Sequence, residues 1–203
     1  AAITVSLDDV NSGNVAAAPI TGTTMGVEPG QTVTLAITDG TATVTVTAVV
    51  NPDGSYSTTA DLSGLADGPL TVTASVSDTA GNPATATDTA ALDTTAAITV
   101  SLEDVNSGSA AAAPITGTTN GVEAGQTVTL QITDGTATVT VTAIVNPDGS
   151  YTTTADLSTL ADGPLTVTAT VSDTAGNPAT ATDTAALDTT AAITVSLDDV
   201  NGG

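Results

Sequence analysis

Hydrophobic and polar residues alternate with a period of two along most of the chain, which is typical of strands buried on one face. In residues 1–95 the alternation falls into seven short segments, several of them separated by Asp-Gly or Asn-Pro turn signals. The pattern predicts seven strands and no helix. The inward faces of the predicted strands run from Ile3 to Leu7, Ala18 to Ile20, Val33 to Ile37, Ala42 to Ala48, Tyr56 to Ala60, Leu70 to Val76 and Ala84 to Leu92.

The sequence of residues 1–95 returns almost unchanged as residues 96–190, with ten differing positions, and residues 191–203 begin it a third time. A unit of this length is too long for a solenoid repeat and suits a small domain. Seven regularly spaced strands in such a unit indicate an immunoglobulin-like β-sandwich. We therefore predict an all-β protein with immunoglobulin-like repeats at 1–95 and 96–190, followed by the first strand of a truncated third repeat at 191–203.

The linker between the copies is short and contains no Gly/Ser tract that would make it flexible. An odd number of up-and-down strands also places the two ends of a sandwich at opposite poles. We therefore expect two tandem seven-stranded sandwiches arranged end to end as a rod. The expected partner of each repeat is the neighbouring identical repeat in the same chain.

Asp88 and its counterpart Asp183 are exceptions to the strand pattern, because their parity would point them inward. We expect a β-bulge that returns each of them to solvent. The sequence leaves open whether either residue binds a metal.

All the charged side chains of the protein are acidic. It has 22 acidic residues and no Lys, Arg or His, for a formal net charge of -22. Nucleic acid and anionic membranes are excluded as partners, because both are bound through cationic side chains. No apolar run approaches the roughly 20 residues of a membrane-spanning helix, so we expect no direct membrane contact. The repulsion between copies favours a monomer.

Catalysis is poorly supported by this composition. Without His, Cys, Lys or Arg, the chain lacks nucleophilic triads, thiolate chemistry and phosphate clamps. A paired-carboxylate glycosidase stays chemically possible, but it would need a cleft that a small compact sandwich does not offer. We therefore expect no enzymatic activity.

Threonine ladders could form an ice-binding or sugar-binding face of ranked hydroxyls. Threonine is also among the best strand formers. It occupies the polar side of nearly every predicted strand, so we expect the ladders to be structural and not to gather on one surface.

Four segments of each copy are similar to a known repeat. They are NPDGSY at 51–56, DLSGLADG at 61–68, VSDTAGN at 76–82 and LDTT at 92–95. In this combination they resemble the bacterial immunoglobulin-like repeats that form the extender regions of large repeats-in-toxin and biofilm-type adhesins of Gram-negative bacteria. The resemblance covers both full copies. One departure is Ala96, where a proline commonly follows the linker threonines.

The resemblance implies an acidic, calcium-rigidified spacer of a cell-adhesion protein. Such a spacer is exported by type I secretion to the bacterial cell surface, where it is extracellular and projects a distal adhesive domain. The alternative that the sequence leaves open is a ligand-binding module that recognises a glycan, ice or a second copy of itself.

Calcium suits the chain because it binds carboxylate, amide and carbonyl oxygens. Threading the sandwich brings Asp93 to Asp173 and Asn177 of the next copy. Within the first copy it places Asp78 and Asn82 at one pole and Asp8, Asp9 and Asp67 at the other. The aspartates that precede glycine in hairpin turns are expected to be turn formers instead, and Asp61 and Asp156 are expected to cap turns. The candidate calcium ligands of the two copies are Asp8, Asp9, Asp67, Asp78, Asn82, Asp93, Glu103, Asp104, Asp162, Asp173, Asn177 and Asp188.

Overall fold

The computed structural model describes residues 1–196, and strands dominate its secondary structure. The strands of the first copy are β1 (Ala2–Ile3), β2 (Ser6–Leu7), β3 (Ala18–Met25), β4 (Thr32–Thr38), β5 (Thr43–Val49), β6 (Ser55–Ala60), β7 (Gly68–Ser77) and β8 (Pro83–Leu92). Those of the second copy are β9 (Ala97–Ile98), β10 (Ser101–Leu102), β11 (Val105–Asn106), β12 (Ala113–Asn120), β13 (Thr127–Thr133), β14 (Thr138–Ile144), β15 (Ser150–Ala155), β16 (Gly163–Ser172) and β17 (Pro178–Asp188).

The all-β prediction is confirmed, and each segment predicted to be a strand contains one. The first of them is divided, since β1 and β2 are separated by Thr4 and Val5. Two single-turn 3-10 helices, Val15–Ala17 and Ala110–Ala112, occur where the sequence predicts no helix. Within residues 1–196, no helix has the length and hydropathy needed to cross a membrane.

The chain forms two compact units. The first contains Ala1–Ala96 together with the loop Ser172–Pro178, and the second contains Ala97–Val171 and the chain from Ala179 onward. Residues 191–196 are exposed and form no strand. The strands β1 and β9 each pair with a long strand that follows them, and residues 191–196 have no such partner among the described residues. The rest of the strand predicted at 191–203 lies outside the described residues.

Two sheets build the first copy. One is the four-stranded antiparallel sheet β5-β4-β7-β8, to which Val10 adds a parallel bridge opposite Leu92. In the other sheet, β3 pairs with β6 on one side and with β1 and β2 on the other. The chain therefore passes from one sheet to the other between β2 and Val10. The second copy repeats this arrangement with β14-β13-β16-β17-β11 and with β9, β10, β12 and β15.

The core of the first copy lies between the two sheets. Inward residues from one sheet, such as Ile20 and Tyr56, and from the other, such as Leu35 and Val72, belong to one buried cluster. Burial of these alternating side chains is the main force that holds the sheets together. The composition limits that force, because Tyr56 and Tyr151 are the only aromatic residues in the chain.

Tyr56 occupies a position made for it by a glycine in β3. Gly22 lies directly opposite Tyr56 in the strand register. A Cβ atom added to Gly22 would lie 2.2 Å from the Thr4 carbonyl oxygen and 2.4 Å from Tyr56 Cζ. The Tyr56 hydroxyl donates a hydrogen bond to the same Thr4 carbonyl oxygen. The missing side chain of Gly22 therefore lets the ring reach the backbone between β1 and β2.

The buried strand residues are identical in the two copies. Almost all of the differing positions are at least partly exposed in both copies, and the exception is Val15, whose counterpart Ala110 is buried in a 3-10 helix. The ten differences are Asp8/Glu103, Asn14/Ser109, Val15/Ala110, Met25/Asn120, Pro29/Ala124, Ala36/Gln131, Val49/Ile144, Ser57/Thr152, Gly64/Thr159 and Ser75/Thr170.

Threonines gather on the outer face of the sheet β5-β4-β7-β8. The register aligns them in rows across the four strands, one of which is Thr43, Thr38, Thr71 and Thr89. The expectation that the threonine ladders do not share a surface is therefore wrong for this sheet. The reason is that the register places the polar positions of all four strands opposite one another.

Candidate functional site

Several aspartates stabilise turns. Asp39 Oδ1 accepts hydrogen bonds from the backbone N–H groups of Thr41 and Ala42, and its Oδ2 accepts one from Ala66 N–H. Asp134 makes the same three contacts in the second copy. The backbone donors Ala161, Ala137 and Thr136 lower the pKa of Asp134 to about 2.

The remaining predicted turn formers behave in the same way. Asp53 Oδ1 accepts hydrogen bonds from both the N–H and the hydroxyl of Ser55. Asp61 makes the equivalent pair of bonds with Ser63. Asp148 and Asp156 repeat them in the second copy. The interpretation of these residues as turn formers is confirmed.

No bulge occurs at Asp88. The pairing of β7 with β8 runs without interruption from Gly68↔Leu92 to Ser77↔Pro83. Asp88 Oδ2 instead accepts a hydrogen bond from the backbone N–H of Leu7, 3.1 Å away in the other sheet. Asp183 accepts the equivalent bond from Leu102 N–H at 3.0 Å. The bulge prediction is wrong. The carboxylate can point inward because it accepts a hydrogen bond from a backbone N–H of the first strand, where that strand leaves its sheet.

Replacing Asp183 by alanine is expected to lower the melting temperature at neutral pH, because Leu102 N–H loses its acceptor. Hydrogen bonds from the N–H groups of Leu102 and Thr184 hold the pKa of Asp183 below its usual value of 3.8. A carboxyl with a lowered pKa stabilises the fold above its ordinary pKa, and this contribution is lost as the pH falls through the lowered value. Melting curves from neutral pH down to about pH 2 should therefore show the difference from wild type narrowing below about pH 4.

The matched control is Thr182→Ala, on the outer face of the same strand, where the side chain is exposed. It should leave the melting temperature nearly unchanged at every pH. If Asp183→Ala and Thr182→Ala melted alike at neutral pH, the carboxylate would have no role in joining the sheets.

Asp9 lies where the first strand joins the second sheet. Its Oδ1 accepts a hydrogen bond from Ala91 N–H at 2.8 Å. The backbone beside it continues the pairing, since Val10 N–H donates to the Ala91 carbonyl and Asp93 N–H donates to the Val10 carbonyl. Asp104 repeats the first contact with Ala186 N–H.

The candidate ligands at the exit of each copy bond to the linker threonines. Asp67 accepts hydrogen bonds from the hydroxyls of Thr94 and Thr95 at 2.9 and 3.2 Å. Asp162 makes the corresponding contacts, and hydrogen bonds from the hydroxyl and N–H of Thr189 lower its pKa. Asp188 accepts a bond from Thr190 N–H, and the two remaining candidates, Asp8 and Glu103, are exposed.

Asp78 and Asn82 form a closed pair in a loop, as do Asp173 and Asn177. In each pair the asparagine N–H donates to one carboxylate oxygen and its side-chain amide donates to the other. Hydrogen bonds from the Asn82 side chain and backbone lower the pKa of Asp78. For Asp173, burial opposes ionisation, but the hydrogen bonds led by those from Asn177 outweigh it and lower the pKa.

The second of these pairs is buried in the first compact unit. Asp173 is 5% exposed and Asn177 is 2% exposed. The Asn177 amide nitrogen also donates to the carbonyl oxygen of Asp93 at 2.9 Å, and its amide oxygen accepts from Ser12 N–H at 2.7 Å. The structure therefore brings Asp93, Asp173 and Asn177 together, but through the Asp93 backbone. The sequence could not reveal the contact with Ser12, because the donor is a backbone N–H that any residue except proline would supply.

A cleft of about 300 Å³ in the same unit has two of the candidate aspartates in its lining. It is lined by Asp9, Val10, Asn11, Ala91, Asp93, Thr174 and Ala175. Asp93 Oδ1 accepts one long hydrogen bond, 3.3 Å from Thr95 N–H. Both polar atoms of the Asn11 side chain already have hydrogen-bond partners, because its amide nitrogen donates to the Ala175 carbonyl and its amide oxygen accepts from Gly13 N–H.

The chemistry of this cleft fits a hard cation, since carboxylate and backbone carbonyl oxygens are the ligands that Ca²⁺ takes. Among residues 1–196, no three Asp, Glu, His or Cys side chains gather into a metal-binding group. Asp8, Asp9 and Asp67, which the sequence places at one pole, therefore do not form such a group. A cation in the cleft would therefore be held by Asp9 and Asp93 together with backbone carbonyl oxygens.

Comparison with solved structures identifies what the chain is similar to. A crystal structure of a "tetra-tandem repeat in extending region of large adhesion protein" is 40% identical and covers 92% of this chain and 49% of that chain, with a TM-score of 0.48. The structure of a "Ca2+-stabilized adhesin" that "helps an Antarctic bacterium reach out and bind ice" is 28% identical and covers 94% of this chain and 49% of that chain, with a TM-score of 0.50. The chain resembles the tandem extender repeats of large bacterial adhesins.

A bacterial immunoglobulin-like domain from the M. primoryensis ice-binding adhesin is a shorter match. It is 29% identical and covers 45% of this chain and 96% of that chain, with a TM-score of 0.35. The chain spans about half the length of the two longer adhesin structures. These neighbours are adhesin repeats and not enzymes. No family model and no curated protein matches the chain.

Proposed function

We propose that this chain is a calcium-stabilised extender of a bacterial surface adhesin, which holds a distal adhesive domain away from the cell. The single observation that best supports the proposal is the cleft lined by both Asp9 and Asp93 beside the loop 172–178. The neighbour described as a Ca²⁺-stabilised adhesin supports the choice of ion. The role is mechanical, so the chain needs no catalytic residue.

Bound calcium would supply positive charge that the side chains lack. The carboxylates of Asp9 and Asp93 repel one another, and a chain with a net charge of -22 has no cationic side chain to offset this. Asp9 already holds Ala91 N–H, and the Asp93 backbone is fixed by Val10 and Asn177. The protein therefore orients the Asp9 carboxylate and fixes the Asp93 backbone before the cation arrives. Because the ion would bind the folded state only, its binding would add to stability.

Export by type I secretion to the cell surface is part of the proposal. Extracellular calcium of millimolar order would fill about half or more of the sites if their affinity lies in the range of extracellular calcium modules. In a cytoplasm poor in calcium the carboxylates would stay unneutralised and the fold weaker, which suits export in an unfolded state. Rigid repeats in series would then form the rod that the sequence predicts.

Adding calcium at about 100 times its dissociation constant is expected to stabilise the chain by about 2.7 kcal/mol, seen as a rise in melting temperature that chelator reverses. The site variant Asp9→Asn/Asp93→Asn should lose this rise. The control variant Asp61→Asn/Asp156→Asn also removes two negative charges, but from turns outside the cleft, and it should keep the rise in melting temperature. Equal ionic strength supplied by NaCl, and an equal concentration of Mg²⁺, separate specific binding from screening.

A rise of the same size in NaCl, or one that survives in the site variant, would overturn calcium binding at this cleft. Small-angle scattering with calcium and with chelator tests the mechanical role directly. A maximum dimension that does not change would remove the stiffening mechanism even if calcium binds.

A further inference from the structure

The strand β5 is an open edge of its sheet. It pairs with β4 and with no other described strand, and it stands at the end of the order β5-β4-β7-β8. The same holds for β14, which pairs only with β13 among the described strands. An open edge strand presents a row of backbone N–H and C=O groups to which another strand can bond.

The backbone groups that face outward on β5 can be assigned. Val50 N–H donates to the Gln31 carbonyl, and the Val50 carbonyl accepts from Gly30 N–H, so Val50 faces β4. Because the direction alternates along an antiparallel strand, Val44 and Val46 also face β4. The N–H and C=O groups of the residues between them point away from the sheet. These residues are Thr43, Thr45, Thr47 and Val49, and all four are exposed.

The edge lacks the features by which proteins block strand pairing. β5 is seven residues long and contains no charge, no proline and no glycine. The opposite edge of the same sheet is different, because β8 carries the inward Asp88 and is bonded by Asp9 and Val10. In the other sheet, β1 and β2 are two residues each. None of the 22 acidic residues of the chain lies on this edge.

The sequence of the edge is the same in both directions. Residues 43–47 of β5 and residues 138–142 of β14 both read T-V-T-V-T. Two such strands that pair antiparallel about Thr45 place each threonine opposite a threonine and each valine opposite a valine. Thr–Thr and Val–Val cross-strand pairs are favourable, and the same patch on both partners is the geometry of a two-fold dimer. The other long edge, β6, reads S-Y-S-T-T-A and lacks this symmetry.

We propose that the edge of β5, and equally that of β14, pairs antiparallel with the same edge of a second copy of this chain. The three threonines at the centre would exchange about six backbone hydrogen bonds with their counterparts. Two paired β5 edges would form a continuous sheet of eight strands, and two paired β14 edges would form one of ten.

Charge sets the conditions for this pairing. The net charge of -22 opposes association at low ionic strength, so the chain is monomeric there. Salt screens this repulsion and leaves backbone hydrogen bonds intact, so association strengthens as salt rises. An interface made of ion pairs would weaken instead. The pairing does not depend on the calcium cleft, so it should occur in chelator at high NaCl.

The test is sedimentation velocity on the 203-residue chain over a range of concentrations, in chelator at about 0.02 and about 0.5 M NaCl. The variant Thr45→Pro/Thr140→Pro removes two outward N–H groups and no bond to β4 or β13, and should raise the dissociation constant about tenfold or more. Thr45→Lys/Thr140→Lys should do the same. The control Thr73→Lys/Thr168→Lys makes the same charge change on central strands and should still associate.

Hydrogen exchange supplies a residue-level measurement that does not depend on variants. In dilute protein the amides of Thr43, Thr45 and Thr47 should exchange fast, whereas those of Val44 and Val46 should be protected by β4. At high concentration and high salt the threonine amides should become protected too. Absence of association at about 0.5 M NaCl, or association that survives the proline and lysine edge variants, would overturn the proposal. Loss of association in the central-strand control would also overturn it, because the copies would then contact each other through the outer, threonine-rich face of the sheet.

Discussion

Replacing Gly22 by alanine is expected to destabilise the first repeat by about 3 kcal/mol or more, at or above the upper end of the usual range for overpacking. The new Cβ would lie 2.2 Å from the Thr4 carbonyl oxygen and 2.4 Å from Tyr56 Cζ, so a backbone atom and a buried ring would both have to move. Neither is the free end of a flexible side chain. Thermal unfolding should show a fall of roughly 12 °C or more for this repeat.

The chain provides its own controls for this experiment. Gly117→Ala should have the same effect on the second repeat, because its Cβ would lie 2.2 Å from the Thr99 carbonyl oxygen. Gly64→Ala meets nothing within 4 Å, and the second copy already has Thr159 at this position, so its effect should stay within about 0.5 kcal/mol. A melting curve for Gly22→Ala that matches Gly64→Ala would show that the ring does not occupy the position described.

Truncating Tyr56 to alanine is expected to cost the first repeat about 4 kcal/mol, as large buried aromatics usually do. The side chain is 1% exposed, and each copy contains no other aromatic residue that could fill the space. Tyr56→Phe keeps the ring and removes only the bond to the Thr4 carbonyl, and should cost about 1–2 kcal/mol. Denaturant unfolding of both variants separates packing from hydrogen bonding.

Tyr151 in the second copy serves as the internal reference, since it makes the same contact with Thr99. If each repeat unfolds as a unit, a variant in one copy should lower one transition and leave the other in place. Equal losses for Tyr56→Ala and Tyr56→Phe would contradict the packing role of the ring. Burial also raises the pKa of Tyr56 to about 12, so the hydroxyl should stay protonated up to strongly alkaline pH.

Most of the fold could be predicted from the sequence because one pattern dominates it. Alternation from Val33 to Ile37 and from Leu70 to Val76 marks the strands, and Asp39 with Gly40 marks the hairpin between β4 and β5. The 3-10 turn at Val15–Ala17 was missed, since a single turn carries no periodic signal. The division of the first strand was missed as well. At this break the Thr4 carbonyl accepts a hydrogen bond from Tyr56, 52 residues later in the chain, and a local pattern does not show such a contact.

The candidate site was less predictable, because the role of an aspartate depends on the donors that surround it. Asp88 was expected at a bulge, yet it bonds to Leu7, 81 residues earlier in the chain. Asp173 and Asn177 were placed near Asp93, but the sequence did not show that the amide would bond to the Asp93 backbone. Local turn aspartates such as Asp53 were predictable, since their donors lie only two residues away.

The identity of the buried residues in the two copies has a consequence for folding. A strand from one copy fits the core of the other as well as its own, so an exchanged strand would meet no packing penalty. Misassembly between repeats is a characteristic failure of such proteins. What favours the correct partner is then distance along the chain, because nearby segments close a smaller loop at a lower entropic cost. Order of synthesis adds to this, since the earlier copy can complete its sheets before the later one emerges.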